Sequence, residues 1–365
     1  MDAKTTQLLG EGSSRGEAFA FTGRWQEFLP IALTNLLLTI VTLGIYRFWA
    51  KARERQYFWS RTRMIDDHLE WTGTGKEMFL GFLMVFLALI PVIGLIMLAS
   101  FLFTGNAIAK LLGGLLMLAV YGGLFYMTGV ASLRALRYRL SRTYWHGIRG
   151  GSDDGGWRYG LEYMWRTLAM VFSLFIAAPW AQTRLWNARF NKMSFGQHRF
   201  HAEADTEGLM GRWLIIYAII LGTLAIGFLL ALSMGGARPS STGAPALALF
   251  VIGAFIAFYI ALPLAALAYY AAYYLRVAET TGIAGMRFRF HARTMDWFLL
   301  FLGHAGLIII TLGVGALFIS YRNYSFAVRH MDLEGDVDIA LLTQSSTRAP
   351  TDAEGLADAF DIGAI

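Results

Sequence analysis

Four long, nearly uncharged segments limit what this chain of 365 residues can fold into. Each holds the roughly 20 apolar residues that a helix needs to cross the hydrocarbon core of a bilayer, and they cover residues 78–104, 107–133, 209–234 and 246–275. They pair into two hairpins, because Thr104-Gly105-Asn106 and the Gly/Pro/Ser-rich stretch 235–245 are typical of turns. The sequence therefore predicts an all-α polytopic membrane protein with two long transmembrane hairpins.

The composition supports this class and excludes several chemistries. Hydrophobic residues make up 56% of the chain and charged residues 15%, whereas soluble domains are roughly 25% charged. Cysteine is absent, which excludes disulfides, thiolate nucleophiles and Cys-based metal sites. His198 and His201 lie in an alternating, strand-like run that would point them to opposite faces. Because no hydrolase or nucleotide-binding motif occurs either, we expect no enzymatic activity, no bound metal and no cofactor.

Three shorter apolar segments either span the bilayer or dip into it and return; they cover residues 28–48, 161–183 and 295–320. Each is barely long enough to cross. Each also contains an interruption, at Thr42-Leu43-Gly44, at Ala178-Pro179 and at Thr311-Leu312-Gly313. Both arrangements are compatible with these interruptions.

The distribution of positive charge favours the returning arrangement. Most of the 31 lysines and arginines lie in five windows, 51–77, 134–166, 184–212, 276–293 and 322–330. If the three short segments crossed, two of these windows would face the opposite side from the other three, against the positive-inside bias. If none crosses, all five face the cytoplasm. The stretch 30–46 nevertheless has the length and apolarity to span on its own.

The chain also contains an internal repeat. A shift of 269 residues aligns Asn35 with His304 and Arg53 with Arg322, and it superimposes the two Thr-Leu-Gly turns. A shift of 137 residues aligns a more divergent middle copy, in which Arg47 matches Arg184. The predicted organisation is a disordered tail 1–17, a first unit 18–156 with hairpin 78–133, a second unit 157–285 with hairpin 209–275, a partial third unit 286–340 and a disordered tail 341–365.

Short alternating runs flank the repeat units. Those that precede the apolar segments are Phe19-Ala20-Phe21, Trp157-Arg158-Tyr159 and Phe288-Arg289-Phe290. Those that follow are HLEWTG, RFHAEA and DVDIAL. Their recurrence at matching places predicts short strands that pair at the cytoplasmic surface.

The first unit carries the motifs of a known family. An aromatic-x-Gly opening at Phe21 and Gly23, followed by the runs Asn35–Thr39, Thr42–Tyr46 and Trp49–Arg53, resembles the YjgN family of bacterial inner-membrane proteins, a domain of unknown function. The similarity extends over about residues 18–340 and departs from the pattern at 64–68, where a glycine is expected. The resemblance implies an inner-membrane location and a fold, and it supplies no established activity.

Two pairs of equivalent polar residues are candidates for a membrane-embedded site. Glu27 and Asp296 begin equivalent segments, where a carboxylate either binds a cation or offsets the positive end of the helix dipole. Asn35 and His304 lie deeper, where a polar group needs a partner. They either line a permeation path or form interhelical hydrogen bonds, and His304 is the better candidate for a proton relay.

Basic and aromatic residues interleave after the short apolar segments. They are predicted to anchor the chain at the interface or to bind anionic lipid head groups. These candidates are Arg47, Trp49, Lys51, Arg53, Arg55, Arg184, Trp186 and Lys192. Binding of nucleic acid is not expected, since no RNA-binding strand motif is present.

Two functions are compatible with these patterns. The first is a transporter, channel or permeation factor with a site at a repeat interface. The alternative is a non-catalytic membrane or envelope factor whose partner is the bilayer itself, through anionic phospholipids bound by the basic-aromatic elements.

Overall fold

The computed structural model describes residues 18–234, 243–335 and 343–347. The predicted tail 1–17, most of the predicted turn 235–245 and most of the tail 341–365 lie outside the described residues. Four helices are long and apolar enough to cross a membrane, Gly75–Leu102, Ala107–Ser141, Leu209–Leu232 and Leu247–Glu279, which confirms the four predicted spans. Their many exposed large apolar side chains require lipid around them.

The helices are, in chain order, α1 Trp25–Val41, α2 Arg47–Ser60, α3 Gly75–Leu102, α4 Ala107–Ser141, α5 Trp157–Phe172, α6 Ala178–Phe190, α7 Leu209–Met234, α8 Gly243–Ile256, α9 Leu262–Glu279, α10 Thr294–Ile310 and α11 Ile319–Arg329. A π-helical turn, Ala257–Ala261, joins α8 to α9 within one span. Pro263 lacks the N–H that would continue the α-helical hydrogen bonds, which accounts for the π turn before it. A 3₁₀ turn, Val314–Phe318, precedes α11.

The first short apolar segment turns back instead of crossing. Near the start of α1 and the end of α2, the rings of Phe28 and Phe58 stack with centroids 5.2 Å apart. Further along, the side-chain amide of Asn35 donates to the carbonyl of Ala50 at 3.2 Å. These contacts make α1 and α2 an antiparallel pair, called here the first short hairpin.

The other two short segments return in the same way. In the second short hairpin, α5 and α6, the rings of Trp165 and Trp180 lie 6.3 Å apart. In the third, α10 and α11, the rings of Trp297 and Phe326 lie 4.8 Å apart. Of the two arrangements that the sequence allows, all three segments therefore adopt the returning one.

A threonine hydroxyl and a left-handed dipeptide form the turn of the first short hairpin. Leu43 and Gly44 have φ angles of 50° and 92°. The Thr42 hydroxyl accepts a hydrogen bond from the backbone N–H of Tyr46 at 2.9 Å, which satisfies a group that the turn would leave unpaired. Residues 311–313 of the third hairpin form an equivalent turn.

The predicted interruption of the second hairpin at Ala178-Pro179 is wrong. The chain turns earlier, where Leu174 and Phe175 have φ angles of 52° and 66°. The Ser173 hydroxyl replaces the threonine hydroxyl of the other two turns, and it accepts a hydrogen bond from the backbone N–H of Ala177 at 3.1 Å. Ala178-Pro179 instead begins α6, where the missing N–H of proline leaves no hydrogen bond unmade.

The position of this turn also corrects the register of the middle repeat. Leu43 and Leu174, which occupy equivalent left-handed positions, are 131 residues apart. The strand turns at Ile65 and Gly196, with φ angles of 59° and 56°, have the same separation. The alignment of the middle copy at a shift of 137 is therefore six residues out.

The strands are β1 Phe19–Phe21, β2 Thr62–Met64, β3 Asp67–His68, β4 Glu70–Trp71, β5 Thr143–Trp145, β6 Ile148–Gly151, β7 Ser194–Phe195, β8 His198–Ala202, β9 Thr281–Ile283, β10 Met286–Phe290 and β11 Met331–Glu334. Strands β4 to β11 form one eight-stranded sheet, and β1 to β3 form a second sheet of three. The strands were predicted, but a sheet of this size means that the all-α class is too narrow.

One of the predicted runs forms part of a helix, and another lies outside the described residues. Trp157-Arg158-Tyr159 begins α5, because Gly156, with a φ angle of 84°, turns the chain into the helix directly. The run DVDIAL, residues 336–341, lies outside the described residues. At 64–68, where the family pattern has a glycine, Ile65 takes the left-handed conformation, which is strained for a β-branched residue.

The first and third short hairpins pack against each other. Phe28 is fully buried and stacks on Tyr321 with centroids 5.5 Å apart. Burial raises the pKa of Tyr324 above its usual value, so its phenol stays protonated and shares a hydrogen bond with the Thr62 hydroxyl at 2.9 Å. We call Phe28, Phe58, Tyr321 and Tyr324 the aromatic joint.

Candidate functional site

A cavity of about 410 Å³ lies between the first and third short hairpins. We call it the hairpin groove; its lining residues are Ala32, Asn35, Leu36 and Thr39 from α1, Arg47, Ala50, Lys51 and Glu54 from α2, and Ala316, Leu317 and Ser320 from the third hairpin. The groove brings together Asn35, a candidate for the membrane-embedded polar site, and Arg47 and Lys51, two candidate head-group contacts.

The charged side of the groove comes from one face of α2. Arg47, Lys51 and Glu54 are separated by four and three residues, so they lie on the same side of the helix. Arg47 is exposed, and the other two are partly exposed. Two cations and one carboxylate give this face a net charge of one positive unit.

The floor of the groove is held rigidly by Asn35, which is only 4% exposed. Its amide nitrogen donates to the Ala50 carbonyl at 3.2 Å, and its amide oxygen accepts from the Arg53 guanidinium at 3.4 Å. Arg53 also donates to the Tyr46 hydroxyl at 3.1 Å. Asn35 therefore forms the interhelical hydrogen bonds predicted as one of its two roles, and it lines a cavity as well.

Exposed aliphatic side chains cover α1 outside the groove and the turn that follows this helix. Leu37, Ile40, Val41 and Leu43 are all exposed, Val41 at 77% and Leu43 at 94%. Side chains of this kind are stable on a surface only where lipid or another apolar partner covers them. The groove itself combines a charged wall with an apolar rim, which its lining residues Ala32, Leu36 and Leu317 form.

Several predicted head-group contacts are turned into the protein. Arg55 is 7% exposed, and its guanidinium lies 4.8 Å from the ring centre of Trp71. Lys192 places its ammonium 3.2 Å from the Asp154 carboxylate. These two residues therefore contact partners within the chain. Arg184 is exposed on the second short hairpin, away from the groove.

The two predicted tryptophans pack within the fold. The side chain of Trp49 lies against Gly75 at the start of α3, where a Cβ on the glycine would approach it to 2.6 Å. Trp186 stacks on Phe190 at 4.3 Å and donates its indole N–H to the Thr281 hydroxyl. Both rings therefore fix helices to neighbouring elements.

Glu27 and Asp296 lie outside the groove, at the starts of α1 and α10. The carboxylate of Glu27 pairs with Arg61 at 3.0 Å. The carboxylate of Asp296 accepts the backbone N–H of Arg293 at 2.7 Å in a capping box. Asp296 therefore has the helix-start position that was one of its two predicted roles.

His304 occupies the position in the third hairpin that Asn35 occupies in the first, without lining the groove. It is 8% exposed, and its Nε2 atom has no hydrogen-bond partner among the described residues. Arg322, the equivalent of Arg53, donates to the carbonyl of neighbouring Gly303 at 2.8 Å. The repeat thus preserves an arginine that reaches back to the first helix of the hairpin.

The polar groove residues Thr39, Glu54 and Ser320 were not among the predicted site residues. Glu54 follows Arg47 and Lys51 at helical spacing, so a helical reading of 47–60 would have placed it on their face. Ser320 reaches the groove only because the first and third hairpins meet. No local sequence signal indicates that contact.

Four membrane-spanning helices, three short returning hairpins and a sheet along one side define a multi-pass membrane protein. The chain matches the family described as "Bacterial protein of unknown function (DUF898)" over residues 16–359, and it belongs to that family. Inner membrane protein YjgN of Salmonella typhimurium is 30% identical over 89 residues, which cover 24% of this chain and 22% of that protein. Inner membrane protein YjgN of Escherichia coli O157:H7 is 27% identical over 143 residues, which cover 39% and 33%.

The matched stretches span about a third or less of the length of these curated relatives. No solved structure matches the chain. The family, the relatives and the four apolar helices together identify a multi-pass protein of the bacterial inner membrane.

Proposed function

We propose that this protein is a non-catalytic inner-membrane factor that binds the head group of an anionic phospholipid in the hairpin groove. The observation that carries the proposal is the pair Arg47 and Lys51, one helical turn apart, in a cavity with an apolar rim. The phosphate of a bound lipid would interact with these cations, and the acyl chains of the lipid would cover the rim. Each cation near an anionic head group contributes about 1 kcal/mol.

The groove lies near the level at which the long helix α3 begins, and this position supports contact with lipid head groups. Phe48, which follows Arg47, packs against Phe79 and Phe82 with centroids 5.7 and 5.2 Å apart. These residues lie about 6–10 Å beyond Gly75, the start of α3, at about 1.5 Å per residue. Cations of α2 at that level would lie near the head groups of the surrounding lipid.

Removing both cations tests this proposal. The double variant Arg47→Gln/Lys51→Gln is expected to weaken binding of phosphatidylglycerol by about 30-fold, since two contributions of about 1 kcal/mol are lost. Binding is measured by native mass spectrometry of the full-length protein titrated with the lipid. The matched control, Arg158→Gln/Arg287→Gln, removes two exposed cations that do not line the groove and is expected to bind as the unmodified protein does. Equal affinity in both double variants would overturn the proposal.

Transport is the second candidate, favoured by the position of Asn35. Asn35 lies in the middle of a mostly apolar helix and also lines a cavity of the size that admits water. The long helices do not favour a channel, because residues 83–98 of α3 are all apolar. A permeation path would therefore follow the short hairpins.

Proton flux distinguishes this candidate. If the groove belongs to a path, Asn35→Leu is expected to reduce proton flux into proteoliposomes by roughly tenfold, as loss of a polar lining group raises the barrier. Flux is followed with a trapped pH-sensitive dye under a potassium diffusion potential. Thr34→Leu is the control, since Thr34 is exposed on the neighbouring face of α1. Flux that is unchanged in Asn35→Leu would exclude this path.

A further inference from the structure

Residues 343–347, which follow the last strand of the sheet, return and dock on an earlier part of it. The side-chain amide of Gln344 donates a hydrogen bond to the carbonyl of Gly147, in the turn between β5 and β6, at 2.8 Å. The same amide group accepts a hydrogen bond from the backbone N–H of Arg149 at 3.1 Å. The Arg149 guanidinium in turn donates to the carbonyl of Thr347. The segment is therefore held at both of its ends.

Two glycines of the sheet make room for this segment. A Cβ atom on Gly196, in the turn between β7 and β8, would approach the carbonyl oxygen of Thr343 to 2.5 Å. A Cβ atom on Gly151 would collide with the Thr347 side chain. Gly196 has a φ angle of 56°, which favours glycine for another reason, but Gly151 lies inside β6 without a positive φ angle. A glycine within a strand often marks the close approach of another group, so Gly151 is independent evidence for docking.

The docked segment forms one wall of a polar cavity of about 610 Å³, called here the sheet pocket. Ser346 and Thr347 line this pocket, which shares no lining residue with the hairpin groove. Ser194, on its floor, pairs with Gly151 across β6 and β7. Directly opposed residues of antiparallel strands place their side chains on the same face. The Thr347 side chain over Gly151 therefore lies on the face that carries Ser194.

The contacts that hold the segment are polar and few. Residues 344–347 contain no large apolar side chain, so docking buries little apolar surface. Both hydrogen bonds of Gln344 lie at exposed positions, where exchange with water leaves a small net contribution. Segments with few buried apolar contacts open locally at a low free energy. The segment can therefore detach without unfolding of the sheet.

We propose that residues 343–347 are a releasable latch that closes the sheet pocket. The docked latch bridges the β5–β6 and β7–β8 turns and covers the face of the sheet that carries Gly151 and Ser194. Release of the latch removes one wall of the pocket and opens this face to solvent. The latch thus controls access to a polar cavity apart from the hairpin groove.

Single cysteines test the docking of the latch, because cysteine is absent from the sequence. Ser345 is 8% exposed, whereas its neighbour Ser346 is exposed. In the full-length protein in detergent, a small maleimide is expected to label Ser346→Cys roughly tenfold faster than Ser345→Cys, since labelling of the buried position requires release. An undocked segment would react equally at both positions, and equal rates would overturn the proposal.

Two variants are expected to release the latch. Gly151→Ala adds the colliding Cβ atom, and Gln344→Ala removes both hydrogen bonds to the β5–β6 turn and β6. Each should raise the labelling rate of Ser345→Cys by roughly tenfold. The control is Gln197→Ala, which truncates an exposed glutamine of the pocket that has no hydrogen bond to the described residues of the latch. Thermal unfolding shows that each variant is folded, and unchanged labelling in both release variants would overturn the proposal.

Closure of the pocket is measured separately with Ser194→Cys. Ser194 is 8% exposed, so this cysteine is expected to react slowly, and roughly tenfold faster when Gly151→Ala is also present. If Gly151→Ala exposes Ser345→Cys while Ser194→Cys stays protected, the segment docks without closing the pocket, and the proposal is overturned.

Discussion

Replacing Phe28 with alanine is expected to destabilise the protein by about 3–5 kcal/mol, the range for removing a fully buried aromatic ring. Phe28 has no exposed surface and lies at the centre of the aromatic joint, with its ring centroid 5.2 Å from Phe58 and 5.5 Å from Tyr321. The cavity left by the ring would separate the first hairpin from the third. Thermal unfolding in detergent, followed by intrinsic fluorescence, measures the loss.

Leu37→Ala provides the control for this prediction, because Leu37 lies on the same helix and is 62% exposed. Its truncation removes contacts with lipid or detergent and leaves no internal cavity, so the unfolding temperature should change little. The Phe28 variant should also bind phosphatidylglycerol more weakly, since the groove is formed by both hairpins. An unfolding temperature equal to that of Leu37→Ala would show that the joint does not hold the two hairpins together.

The sequence is most informative where one local rule decides the structure. Uninterrupted apolar length is sufficient to define the four spans, because nothing but a helix satisfies its backbone in hydrocarbon. Thr42-Leu43-Gly44 is readable as a turn since glycine takes positive φ without strain. Its copy at 311–313 has the same residues and the same geometry.

The second hairpin shows where such rules fail. Its left-handed positions hold Leu174 and Phe175 instead of a glycine, so composition does not mark the turn. The visible helix breaker, Pro179, lies in the first turn of α6, where proline is favoured. The sheet could not be predicted for a different reason. Its strands are only two to five residues long, and they are stabilised by pairing with strands far along the chain.

Only part of the candidate site could be predicted from the sequence. Arg47 and Lys51 were identified from composition, but so was Arg55, which is buried. The difference is helical phase: Phe48, Ala52 and Arg55 lie on the buried face of α2, and the groove residues lie on another. Placing residues 47–55 on a helix with 3.6 residues per turn would have separated the groove residues from the buried ones. The contribution of the third hairpin depends on the aromatic joint, which joins residues almost 300 positions apart.

The sheet requires that the basic windows share one side of the membrane. Gly150 of β6 pairs with Phe195 of β7, and Ala202 of β8 pairs with Thr281 of β9. Hydrogen-bonded strands cannot be divided by a bilayer, because their partners would be lost. The sheet therefore connects the loops after both long hairpins with the loop after the second short hairpin, and the positive-inside bias predicts that these loops face the cytoplasm.

Labelling of single cysteines is expected to show this sidedness as an almost complete difference, because the native chain contains no cysteine. Gln197→Cys and Arg289→Cys, at exposed sheet positions, should react with an impermeant maleimide only in inverted membrane vesicles. Thr104→Cys, at the tip of the first long hairpin, should react only in intact spheroplasts, with roughly tenfold or greater contrast between the two preparations. A cysteine at position 189 would be a poor probe, because Arg189 is only 8% exposed. Labelling of Gln197→Cys and Arg289→Cys from opposite sides would contradict both the returning hairpins and a groove shared by the first and third of them.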